Sequence, residues 1–174
     1  CGGDDKGFSM YGLVEKDVTL DIVKRVKAKL DGENIKVYYT RMEDKNPTQE
    51  ERIELANGVG ADIFICVALN FDHENPKQYG TEAIFNDSFF IPEFGSVELA
   101  DLTEREVVTS ISGRGNGLTV ATKEDIVVWD AQVPATILKV GYLSNEQEAA
   151  LLAREDYRER IANGLYQVIL KAYE

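Results

Sequence analysis

ATILKVGYLSN, residues 135–145, is the stretch on which the fold turns. Pro134 ends whatever precedes it, a run of β-forming residues follows, and after Gly141 a turn leads into Asn145-Glu146-Gln147-Glu148, which opens a helix. An apolar run of this length, bounded by turn signals, reads as a strand buried on both faces. Lys139 sits inside it. A lysine in such a strand is costly unless its charge finds a partner or points into a polar cleft. The C-terminal end of a buried parallel strand is also where open α/β sheets place their sites. Lys139 lies at that end.

Outward from this strand, helical and extended patterns alternate. Residues 1–14 are rich in Gly and Asp and read as a loop. From Glu15 to Leu30, the near-helical spacing of Val18, Leu20, Ile22, Val23, Val26 and Leu30 predicts a helix, with basic residues in its last turns and Gly32 beyond. Ile35–Tyr39 predicts a short strand. Thr48 and Glu51 form a capping box for a helix ending near Gly58. Ala61–Leu69 predicts a continuous apolar strand, 70–80 a polar loop holding the only histidine, His73, and Thr81–Phe85 a further strand. A helix over 96–111, a loop over 112–125, a strand over Ile126–Trp129 and helices over 146–152 and 156–173 complete the chain. Such alternation predicts one α/β domain across residues 1–174, a twisted, mostly parallel sheet with helices on both faces.

Composition narrows the partners. The 174 residues suffice for one domain with a core, and 44% hydrophobic with 29% charged residues is a globular balance. A formal net charge of −12 argues against nucleic acid and against an anionic membrane surface. No run reaches the length of a transmembrane helix. Two cysteines, Cys1 and Cys66, make no disulfide framework.

Several fragments, taken together and in order, resemble the zinc-dependent N-acetylmuramoyl-L-alanine amidases that cut peptidoglycan. They are GG followed by Asp5 and Gly7, EKDVTLDI (15–22), YYTRMED (38–44), ERIELAN (51–57), ADIFICVALN (61–70), GTEAIF (80–85), GRGNGL (113–118) and VPATILKVGYLSNEQEAALL (133–152). The resemblance covers nearly the whole chain. It implies an extracytoplasmic domain of the bacterial cell envelope, and hydrolysis of the amide between the lactyl group of muramic acid and L-alanine. It also implies a zinc ion held by His, Glu and His, with a further Glu handling protons on the last strand. Zinc catalysis needs three protein ligands and an open position for water.

At those positions this chain departs from the family. The first ligand His falls on Cys1, the ligand Glu on Glu15, the second His on Ala68 and the proton-handling Glu on Lys139. Glu15 alone is unchanged. Ala68 cannot bind a metal, and Lys139 repels one and accepts no proton while charged. Substitute ligand sets are Cys1, Glu15 and Cys66, or Cys1, Glu15 and His73. The family also has a strand before its first ligand; its absence upstream of Cys1 implies a gap in the sheet and a longer native chain, the rival reading being a lipoprotein whose mature chain starts at Cys1.

Three functions follow as expectations. The first is an inactive amidase-like domain without zinc that binds peptidoglycan or a cell-wall protein, with Asn70 and Arg114 as substrate-binding candidates. The second is an active amidase with an altered metal site. The third is a structural domain of a larger cell-envelope or spore-associated protein. If no cation is bound, Glu15 needs compensation, and an ion pair with Lys139 is the expected source.

Overall fold

A computed structural model describes residues 1–87 and 92–173. In chain order it has a hairpin of β1 (Ser9–Met10) and β2 (Leu13–Val14), then α1 (Glu15–Leu30), α2 (Gln49–Gly58), β3 (Phe64–Asn70), β4 (Thr81–Phe85), α3 (Ser96–Ile111), β5 (Gly115–Val120), α4 (Ile126–Trp129), β6 (Ala135–Tyr142), α5 (Glu146–Leu152) and α6 (Glu155–Lys171). The main sheet has the order β3-β6-β4-β5. β3 runs parallel to β6 and β4 parallel to β5, while β4 meets β6 antiparallel. The sheet is thus mixed, with two of its three pairings parallel, and β6 is an interior strand as its apolar run predicts.

Helices cover both faces. Leu138 and Val140 of β6 pack with Ile22 of α1, Val107 of α3 and Ile161 and Leu165 of α6. Ala135 and Ile137 face the other way, toward Val127 and Val128 of α4. Side chains alternate along a strand, so Lys139 lies on the α4 side with Ile137. Asp21 ties α1 to α6 by accepting hydrogen bonds from Arg25 Nε at 2.8 Å and Arg158 Nε at 2.5 Å. Burial works to raise the Asp21 carboxyl, but the two arginines hold it below its ordinary value. The capping box of α2 forms as read, with Glu51 N–H donating to Thr48 Oγ1 and Thr48 N–H to Glu51 Oε2.

Four elements differ from the sequence reading. The expected loop 1–14 carries the β1–β2 hairpin. The expected loop 112–125 carries β5, an edge strand whose last residues Thr119 and Val120 are exposed, so no apolar alternation marks it. Ile126–Trp129 is one helical turn instead of a strand. Its N–H groups at Val128 and Trp129 close onto the Asp125 carbonyl, and the Asp125 side chain accepts from Thr122 N–H to turn the chain.

Ile35–Tyr39 forms no strand, and the reason lies in what flanks it. Among the described residues β3 pairs only with β6, so its other edge is open. Phe64 N–H donates toward β6, to the Pro134 carbonyl, whereas Leu69 N–H donates away from it, to Glu15. By the same alternation the N–H groups of Ile65 and Val67 point to the open edge. A slot of about 300 Å³ separates that edge from 35–40, lined by Val37, Tyr39, Ile65, Val67, Val26 and Leu165. Residues 35–39 have strand character but no neighbour close enough for a ladder.

Candidate functional site

Glu15 is the first residue of α1 and is 7% exposed. Its Oε2 accepts from Phe8 N–H at 3.0 Å and its Oε1 from Leu69 N–H at 2.9 Å. The carboxylate thereby joins the N-terminal loop, the start of α1 and the outer edge of β3. A negative charge at this end of a helix is also favoured by the aligned peptide dipoles. Gly7, at φ +63°, makes the arrangement possible, since a Cβ there would run into Glu15 Oε2 and approach the Cβ of Cys1 to 3.1 Å. Cys1 and Glu15 are therefore brought together. The Cys1 thiol lies 4.0 Å from Thr19 Oγ1. The half-buried Cys66 has its thiol pushed up by burial, with the charges of Arg52, the amino terminus and Arg41 acting against that rise.

On the other side of β3, Ala68 stands in register with Lys139 of β6. The opposite neighbour of Lys139 is Glu82 of β4. Lys139 is half-buried, and its ammonium makes no ion pair or hydrogen bond among the described residues. The expected pair of Lys139 with Glu15 is absent. Both Glu15 oxygens are taken by backbone N–H groups, and β3 stands between the carboxylate and Lys139. Hydrogen bonds to the charged form, not a neighbouring cation, compensate the buried carboxylate.

Glu82 is a member of this site that the sequence reading missed. Its Oε2 accepts from Asn70 Nδ2 at 2.9 Å, and its Oε1 accepts from the Thr119 hydroxyl. Its signal was an acidic residue at the second position of the predicted strand Thr81–Phe85. Recognising its place required knowing that β4 runs antiparallel to β6. Asn70 is held by this bond and by accepting from Phe71 N–H through Oδ1. Arg114 does not join Asn70. It lies over the Tyr79 ring at 4.9 Å and lines a cavity on the α3–α6 side of the sheet.

The substitute ligand sets are not assembled either. His73 packs against Phe71 at 4.6 Å between ring centroids, and Phe71 stacks on Phe8 at 4.8 Å. Among the described residues no three His, Cys, Asp or Glu side chains converge as metal ligands. Where the resemblance implies three zinc donors and a proton-handling carboxylate, this end of the sheet presents the Cys1 thiol, a carboxylate with both oxygens engaged, the Ala68 methyl group and an ammonium. That donor set does not fit a catalytic zinc.

With this geometry in place, comparison with known proteins gives a consistent picture. Residues 1–171 match the family described as N-acetylmuramoyl-L-alanine amidase. The uncharacterized protein YqiI of Bacillus subtilis (strain 168) is 28% identical over 173 residues, covering 99% of this chain and 81% of YqiI. The N-acetylmuramoyl-L-alanine amidase LytC of the same organism is 25% identical over 173 residues, covering 99% of this chain but 34% of LytC, so the chain spans about a third of that protein. Among solved structures, the catalytic domain of CwlV, an N-acetylmuramoyl-L-alanine amidase from Bacillus (Paenibacillus) polymyxa var. colistinus, matches with a TM-score of 0.88 at 25% identity, covering 98% of this chain and 92% of that one.

Proposed function

The chain belongs to the N-acetylmuramoyl-L-alanine amidase family, and within it we propose a cell-wall domain that binds peptidoglycan without hydrolysing the muramoyl–L-alanine bond. The observation that carries this reading is the register of Ala68 with Lys139. A methyl group and a cation stand side by side where the family chemistry needs a metal ligand and a proton acceptor. The remaining groups favour binding over chemistry. Asn70, Glu82 and Thr119 form a hydrogen-bonded polar surface beside Lys139 at the C-terminal end of β3 and β6, and Phe8 is 39% exposed beside Glu15. Extracytoplasmic action at the bacterial envelope fits the cell-wall amidases among its relatives, and no helix of the described residues is long and apolar enough to cross a membrane.

Cosedimentation with purified sacculi tests the binding. The protein is expected in the pellet, and Asn70→Ala combined with Lys139→Glu is expected to shift it to the supernatant. Wild-type protein that stays in the supernatant would favour a purely structural role or a protein partner in the wall.

We also propose that an extended segment leading into Cys1 completes the sheet by filling the slot beside β3. Support comes from the outward N–H groups of Ile65 and Val67 along the slot and from Cys1, whose Cβ lies beside Gly7 and Glu15 at the outer edge of β3. A longer chain carrying that segment is expected to melt roughly 5–10 °C higher, the equivalent of ~2–3 kcal/mol for a domain of this size. Its Ile65 and Val67 amides should also exchange more slowly. Unchanged exchange at both amides would remove the proposal.

A further inference from the structure

On the α3–α6 side of the sheet a cavity of about 420 Å³ is lined by three arginines, Arg114, Arg154 and Arg160. In a chain of net charge −12 such a convergence calls for a cause. Arg154 is neutralised by Asp156 at 2.6 Å. Arg114 and Arg160 have no carboxylate partner among the described residues. Both are nevertheless held in place. The Arg114 guanidinium lies over the Tyr79 ring, an attractive but weak contact, and its N–H donors have no hydrogen-bond acceptor among the described residues. Arg160 donates from Nε to the Ser110 carbonyl at 2.9 Å and from Nη2 to Ser112 Oγ at 3.1 Å. These bonds anchor it to the end of α3, two residues before Arg114, with Nη1 free among the described residues.

The other polar groups of the cavity do not cancel this charge. Glu148 lines it, but its Oε2 is turned onto the N–H groups of Tyr142 and Gly80, and burial raises its carboxyl above the ordinary value. Tyr157, also in the lining, is 7% exposed. Its hydroxyl is pushed up to about 12, by burial first and by Glu148 second, so it remains a protonated donor at neutral pH.

We propose that this cavity binds the oxyanion of a ligand, a carboxylate or phosphate group, between the guanidinium groups of Arg114 and Arg160. Planar guanidinium groups suit two-point recognition of such anions, and their charge-assisted hydrogen bonds are the strong ones. The site lies across the sheet from Lys139 and does not depend on the groove binding peptidoglycan.

The test is an NMR titration of labelled protein at constant ionic strength. Inorganic phosphate is one probe and acetyl-alanyl-alanine, with its free terminal carboxylate, is the other. Saturable shifts are expected at the amides of residues 112–115 and at the Arg114 and Arg160 Nε–H signals. The probe that saturates at the lower concentration identifies the source of the anion. Arg114→Gln, which removes no hydrogen bond within the protein, is expected to weaken binding about tenfold, the loss of one charge-assisted contact. Arg160→Gln should do the same, and Lys123→Gln, an equal charge change in the turn beyond β5, should leave it unchanged. Absence of saturation with both probes would overturn the proposal, as would equal weakening by Lys123→Gln and Arg114→Gln.

Discussion

Purified protein incubated with peptidoglycan sacculi is expected to release no alanine-linked peptides above a buffer control, and neither added zinc nor chelator should change that. Two departures that the resemblance to the amidases implies argue for this. On the proposed reading Lys139 takes the position of the proton-handling carboxylate, and removing one general acid–base group typically slows a reaction by about 10²- to 10⁴-fold. On the same reading the Ala68 methyl beside it replaces a ligand, which would leave the metal that acidifies water and polarises the carbonyl without a third donor. The loss has a matching gain. Cys1→His, Ala68→His and Lys139→Glu made together are expected to recover stoichiometric zinc by metal analysis, and with it measurable hydrolysis. Lys139→Glu alone should recover neither, since it restores a base without completing the ligands. Robust release of peptides by wild-type protein, abolished by chelator, would show that another donor reaches the metal and that the groove is catalytic.

What could be read from the sequence is what local pattern determines. β6 was legible because burial on both faces leaves a continuous apolar run, and α1 and α6 because their apolar positions repeat at helical spacing. The capping box of α2 was legible because all its partners lie within four residues. β5 was not, because an edge strand with exposed side chains has no apolar alternation to show. Ile126–Trp129 reads as a strand because four apolar residues carry no period, whereas the turn at Asp125, whose carbonyl accepts from Val128 and Trp129 N–H, makes them helical. Residues 35–39 were misread in the opposite sense, for they have the composition of a strand but lack the neighbouring strand that would make them one. In the site, the side-by-side placement of Ala68 and Lys139 follows from the parallel pairing of β3 with β6. The partners of Glu15 do not follow from any pattern of residue types, since both are backbone N–H groups, one of them 54 residues away in β3.

That bonding makes Glu15 the polar residue of the site whose loss should be felt most in stability. Glu15→Ala leaves Phe8 N–H and Leu69 N–H without their acceptor, and a buried donor left unsatisfied costs about 1–3 kcal/mol. The Leu69 group is buried and the Phe8 group partly so, so a total of about 2–4 kcal/mol is expected from urea unfolding. Glu15→Gln should cost less, because its amide oxygen still accepts from one of the two N–H groups while its NH₂ confronts the other. Lys139 bears on the stability through a different neighbour. Since Glu15 is compensated by backbone donors, Glu15→Gln and Lys139→Ala are expected to add to within about 0.5 kcal/mol, as residues without shared partners do. Glu82 stands directly across from Lys139 on the antiparallel strand, and opposite charges in that position typically contribute about 0.2–1 kcal/mol. The cycle of Glu82→Gln with Lys139→Ala should therefore show the larger coupling. A coupling above ~1 kcal/mol between Glu15 and Lys139, beyond the error of an additive pair, would mean that the ammonium reaches the carboxylate in solution, and that a cation rather than the peptide backbone stabilises the charge at the top of the sheet.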